Sequence, residues 1–182
     1  MRWLRLFLLA LLIPLAGCAT NGQSYWVDTA GPYQLNTGDV LRVTVYGDKD
    51  LTNSYKIDDS GAISFPLVGP IRVAGATTEI AARRLSAALA NGFMRNPNVA
   101  VEVAEYRPFF IQGEVTTSGQ FAYIYGMTVR AAISTAGGFK DTADRSRVTV
   151  FRRNGDQMMK TKVGLDFPIQ PGDTIVVAER WL

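Results

Sequence analysis

Residues 109–138 read FFIQGEVTTSGQFAYIYGMTVRAAISTAGG, and the hydrophobic period changes within that stretch. Phe109–Val115 reads as a strand, Thr116 to Gly119 as a turn, and Gln120–Tyr125 as a second strand. Thr128 then precedes Val129, Ala132, Ile133 and Ala136, which share one face at helical spacing. Gly137–Gly138 closes that short helix in the left-handed backbone that glycine tolerates.

Downstream, Val148–Arg152 and Gln157–Val163 read as strands about an Asn154–Gly155 type I′ turn, and Ile175–Glu179 as a final strand. A hairpin, a helix, a second hairpin and a last strand is the order of a ubiquitin-like β-grasp unit. Upstream, Leu41, Val43 and Val45 alternate with Arg42, Thr44 and Tyr46, the pattern of a strand with one buried face. Gly47–Asp48 begins a turn, Asp58–Gly61 reads as a hairpin turn leading into Ala62–Val68, and Ile71–Val73 follows as a short strand. Thr77 or Thr78 caps a helix through Ala90, with Glu79 in its positive first turn. Ile80, Ala81, Leu85, Ala88 and Leu89 form its apolar face, Asn91–Gly92 stops it, and Asn98–Tyr106 alternates again. The chain is thus expected to be α+β, with a small α+β domain over 33–106 followed by a β-grasp domain over 107–182.

One segment occurs twice. Leu35-Asn-Thr-Gly38-Asp39 leads into the first strand, and Ile169-Gln-Pro-Gly172-Asp173 leads into the last. In each, Gly–Asp suits a tight turn whose carboxylate accepts from backbone N–H groups as the strand begins. Paired catalytic carboxylates are the other reading of the repeat.

Composition removes whole classes of chemistry. The 182 residues include no His and one Cys, which excludes His-based triads, His zinc sites and disulfide frameworks. Arg2 and Arg5, at the start, account for most of the formal charge of +3, so the rest is near neutral and nothing calls for nucleic acid. Those two residues precede a short apolar run ending near Leu15, too short to span a bilayer and suited to a secretory signal over 1–17. Leu15-Ala16-Gly17-Cys18 resembles the lipobox of bacterial lipoproteins, implying cleavage between Gly17 and Cys18 and acylation of Cys18. Several acyl chains make a practically permanent anchor. Residues 18–32 read as a tether, and with Ala19 rather than Asp after the cysteine the expected location is the outer membrane, facing the periplasm.

Four segments together resemble the bacterial outer-membrane polysaccharide export lipoproteins. The first runs Tyr33-x-Leu35-x-x-Gly38-Asp39-x-Leu41 and resembles the opening of the family's export domain. The second, Asp58-x-x-Gly61-x-Ile63-x-Phe65-Pro66-Leu67-x-Gly69, continues through Ile71 and Val73 to Gly75 and is similar to that domain's central motif. The third, Ile111-x-Gly113-Glu114-Val115 with Gly119 and Phe121, then Thr128 to Gly137–Gly138, is similar to the SLBB (soluble-ligand-binding β-grasp) domain. The lipobox is the fourth. The resemblance implies an octamer-like ring of identical subunits that conducts capsular or exopolysaccharide, without catalysis or cofactor. It further implies an inner-membrane polysaccharide co-polymerase, often with a tyrosine kinase, as partner. A single SLBB unit, and a sequence ending at Leu182 just after its last strand, match the short branch of the family, for which either a separate outer-membrane protein completes the exit or acyl chains alone attach the ring.

Within that frame Lys140, Arg145, Arg147, Arg152 and Arg153, with Lys160 and Lys162, are candidate contacts to an anionic glycan, interspersed with Asp141, Asp144 and Asp156. Solvated faces or ion pairs between subunits are the alternative. Tyr123 and Tyr125 share a strand face in this reading and suit either sugar stacking or packing. Trp26 and Trp181 suit a membrane interface or a partner groove. Asp48, Asp50 and Asp59 echo a calcium loop, but Thr52 and Asn53 break its pattern and no metal is expected. A carboxylate-dependent glycosidase and an envelope scaffold without a conduit are the competing functions.

Overall fold

The computed structural model describes residues 31–155 and 157–180. The expectations for the leader 1–17, for Gly17 and Cys18, for the tether up to residue 30, and for Trp26, Asp156 and Trp181 lie outside the described residues.

The N-terminal unit is built on β1 (Val40–Val45), flanked by antiparallel β2 (Asp48–Lys56) and β5 (Val99–Glu105). Alternation in β1 does what the sequence predicts: Leu41, Val43 and Val45 are buried on one face. Helix α1 (Thr78–Ala90) lies against β5 and buries Ala81, Leu85 and Leu89. The Thr77 side chain accepts from the Ile80 N–H as the cap, and Asn91 ends the helix. The Asp58 turn differs from expectation. Its carboxylate accepts from the N–H groups of Ser60 and Ala62, yet it does not fold β2 back on its successor. Instead it delivers the chain into a separate hairpin, β3 (Ala62–Phe65) with β4 (Gly69–Arg72). Ile63 and Phe65 of β3 carry the burial, joining a core that includes Leu35, Ile57 and Val73.

The reversal between β3 and β4 is strained. The Val68 N–H donates to the Pro66 carbonyl at 2.8 Å, which makes Leu67 the centre of a three-residue turn at φ 69°. A branched side chain in that region costs of order 1–3 kcal/mol, and the Leu67 side chain recovers little by burial, being 61% exposed.

The C-terminal unit is a five-stranded sheet in the order β7-β6-β10-β8-β9. Its strands are β6 (Phe109–Gly113), β7 (Gly119–Phe121), β8 (Val148–Asn154), β9 (Gln157–Val163) and β10 (Thr174–Val177). The first and last, β6 and β10, run parallel side by side at its centre while every other pair is antiparallel. That is the β-grasp arrangement, and helix α2 (Val129–Thr135), capped by Thr128, contributes Val129, Ala132 and Ile133 to the core. Gly113 is required where β6 leaves its neighbour: it takes φ 93°, and a Cβ there would lie 2.0 Å from the Val177 carbonyl oxygen. Two local expectations are corrected. Strand β7 ends at Phe121 because the chain turns at Tyr125–Gly126, so Tyr123 and Tyr125 do not share a strand face. Asn154 pairs with Gln157, so the β8–β9 hairpin reverses one residue later than the sequence suggests, with Gly155 at φ 59°.

The repeated Gly–Asp turns join the units. Asp39 is fully buried and accepts from the Tyr33 hydroxyl at 2.7 Å, the Asn36 N–H at 2.9 Å and the Arg107 N–H at 3.0 Å. Asp173, equally buried, accepts from the Gln170 N–H at 2.7 Å and from Arg152 through two nitrogens at 2.9 and 2.7 Å. Arg107 connects both turns, for its Nε donates to the Pro171 carbonyl at 2.9 Å.

Two outcomes follow from these arrangements. Asp173→Ala strands the Arg152 guanidinium, whose side chain is only 16% exposed, and is expected to cost about 3 kcal/mol in urea unfolding. Leu67→Gly removes the backbone strain while giving up little buried surface, so the urea midpoint is expected to hold or rise.

Candidate functional site

The candidate glycan-contacting basic residues of the second unit separate into three groups. Arg152 follows Val148 and Val150 on the inward face of β8, and its guanidinium is committed to Asp173, lies 5.4 Å from the Phe167 ring centroid and donates to the Pro168 carbonyl. It is therefore a core-facing residue and not part of the exposed set. The period-2 alternation from Val148 carries the signal that places it there. Lys140 and Arg145 are exposed at the surface in loose pairs with Glu114 at 3.8 Å and Asp141 at 3.6 Å; such pairs contribute little. Arg147, Arg153, Lys160 and Lys162 are exposed.

Register brings part of that third group together. Directly opposed residues project to one side of a sheet, and the pairings align Gln120, Phe110, Thr174, Phe151 and Lys160 in a row crossing all five strands. A second row holds Gln112, Val176, Thr149 and Lys162, and Arg153 opposes Met158 beyond the first. This is the outward face, since Phe109, Ile111, Val148, Val150, Ile175 and Val177 point the other way into the core. Phe110 is 38% exposed, and the Lys160 ammonium sits 5.6 Å from the Phe151 ring centroid. Sequence reasoning missed Phe110 and Phe151 because nothing local tells a strand aromatic that its pairing partners share the outer side.

Tyr123 packs at the joint between the units. Its ring meets Tyr106 edge-on at 5.4 Å, Tyr106 meets Tyr33 at 4.9 Å, and the Tyr123 hydroxyl donates to the Ile169 carbonyl at 3.3 Å. Burial pushes all three phenols above their ordinary range, and the Asp39 carboxylate adds to the effect on Tyr33. Tyr125 remains 57% exposed.

Asp39 and Asp173 are saturated with donors and buried, which leaves neither carboxylate open to a substrate. Hydrogen bonds from Ser60 and Ser146 hold the Asp58 and Asp144 carboxyls below the usual carboxylate range. The Asp48 carboxylate is taken up by the N–H groups of Asp50 and Leu51, and among the described residues no group of three His, Cys, Asp or Glu is arranged to hold a metal. None of the described helices is long and apolar enough to cross a membrane. The motif glycines Gly38, Gly69, Gly75, Gly119, Gly137, Gly138 and Gly172 all take positive φ. Phe65 of that motif is buried and Pro66 opens the strained turn.

Comparison with known proteins places these two units. Residues 27–104 match the family model for polysaccharide biosynthesis/export proteins, and residues 108–162 match that of the SLBB domain. Among curated relatives, the exopolysaccharide production protein ExoF of Rhizobium meliloti is 33% identical over 138 residues, covering 69% of this chain and 32% of its own. The EPS I polysaccharide export outer membrane protein EpsA of Ralstonia solanacearum is 29% identical over 174 residues, covering 81% of this chain and 46% of its own. The polysialic acid transport protein KpsD of Escherichia coli is 26% identical over 160 residues, covering 81% of this chain and 28% of its own. The chain thus spans between about a quarter and a half of the length of these relatives. With an export unit and an SLBB unit in tandem, this chain belongs to the family of bacterial polysaccharide export proteins.

Proposed function

We propose that the protein is a lipid-anchored subunit of a homo-oligomeric ring at the periplasmic side of the outer membrane, and that capsular or exopolysaccharide leaves the cell through it. Residues 33–106 serve as the export domain and 107–182 as the SLBB domain. An inner-membrane polysaccharide co-polymerase, with its tyrosine kinase where one is attached, supplies the polymer. Acyl chains on Cys18 hold the subunit to the membrane. The protein does no chemistry on the glycan; it offers a path.

The observation that carries this reading is the tandem of an export-family unit and an SLBB unit. Relatives named for polysaccharide export, exopolysaccharide production and polysialic acid transport support the same class of cargo. The Leu15–Cys18 segment supports the anchor. Rigid coupling through Arg107 suits a subunit that must keep its shape within a closed ring.

Deleting the gene is expected to abolish surface polysaccharide while the polymerising enzymes stay active in membrane extracts. Unchanged secretion in the deletion strain overturns the export reading in favour of a scaffold. The acylated protein, extracted gently in detergent, is expected to appear by electron microscopy as hollow rings, and Cys18→Ser is expected to release it into the soluble periplasmic fraction. A uniformly monomeric extract contradicts the ring.

A further inference from the structure

The outward face of the five-stranded sheet is unlike an ordinary solvated sheet face. Five strands at ~4.8 Å spacing make the row Gln120–Phe110–Thr174–Phe151–Lys160 about 19 Å across. Its middle is apolar or aromatic, with Phe110, Phe151 and Val176, and its β8–β9 side is cationic, with Arg153, Lys160 and Lys162. Gln112, Gln120, Thr149 and Thr174 add hydrogen-bonding groups between them. The Lys160 ammonium lies against the Phe151 ring, so charge and an aromatic plate are presented together.

That combination selects a chemistry. A pyranose ring carries C–H groups on its flat faces and polar groups on its rim, and a uronic acid or pyruvylated sugar adds a carboxylate there. An aromatic plate meets the first, an adjacent ammonium the second, and glutamine and threonine the hydroxyls. Phe110 is 38% exposed and the partly exposed Phe151 lies beside Lys160, while the near-neutral balance of the sequence beyond Arg2 and Arg5 disfavours nucleic acid.

We propose that this sheet face, centred on Phe151, Lys160 and Lys162 with Phe110 and Arg153 at its margins, is a docking surface for an acidic polysaccharide. Contact is broad, shallow and screened by salt, as suits a polymer that must move on. The proposal rests on the export reading for the source of the polymer, not for the chemistry of the surface.

Titration calorimetry of the full chain with alginate oligosaccharides, and separately with neutral dextran, tests it. Alginate is expected to bind, more weakly as salt is raised, and dextran to bind far less. Lys160→Glu with Lys162→Glu is expected to lower alginate affinity about tenfold or more and Phe151→Ala to lower it as well, while Lys140→Glu, outside the face, leaves it unchanged. Urea midpoints of all variants are compared, and Phe151→Leu keeps the packing should Phe151→Ala lose the fold. No alginate binding, equal binding of dextran, or full affinity in the double lysine variant overturns the proposal. Loss of self-association in Phe151→Leu, with alginate affinity intact, overturns it in favour of a second copy on this face. Secretion distinguishes the two readings: a deletion strain that still secretes refutes export, whereas one that is rescued by a double lysine variant with full alginate affinity refutes only the surface.

Discussion

A buried carboxylate that ends a Gly–Asp turn is the interaction on which both halves of this molecule depend. Taking a carboxylate out of water costs several kcal/mol unless its lone pairs are filled. Asp39 fills them with two backbone N–H groups and the Tyr33 hydroxyl, Asp173 with one backbone N–H and a two-pronged guanidinium. Each turn releases the chain into a strand that starts at the next residue, Val40 in one unit and Thr174 in the other. Since β1 and β10 are each central to a sheet, the register of every other strand in those two sheets is referred to one of these two carboxylates.

The two sheets serve different ends. The N-terminal sheet covers itself with α1 and a separate hairpin around Leu35, Leu41, Phe65 and Leu85. The C-terminal sheet commits one side to α2 and leaves a cationic, aromatic plate on the other. Stability thus resides in one set of faces, while the other side of the C-terminal sheet stays clear of both cores.

Much of this was legible in the sequence. Period-2 alternation places β1, and Thr77 and Thr128 act as the caps they resemble. The Gly–Asp repeat was readable as a turn device because its logic is local. What escaped depends on partners distant in sequence. Charge alone groups Arg152 with Arg153, and only strand parity separates an inward ion pair from an outward cation. The hairpin of β3 and β4 stands apart because Ile63 and Phe65 feed the core sideways, which no turn motif reveals. The outward row across five strands exists only once the β6–β10 pairing, made across some sixty residues of chain, is known.

Arg107 sits in the short stretch between β5 and β6, where a multi-domain chain would ordinarily bend. Its main chain is clasped by the carboxylate of one unit and its side chain by a carbonyl of the other, while Tyr33, Tyr106 and Tyr123 wedge the same place. A would-be hinge pinned from both directions behaves as a weld. Any change of shape in this protein then falls to its peripheral loops and hairpins and not to a bend between the two units.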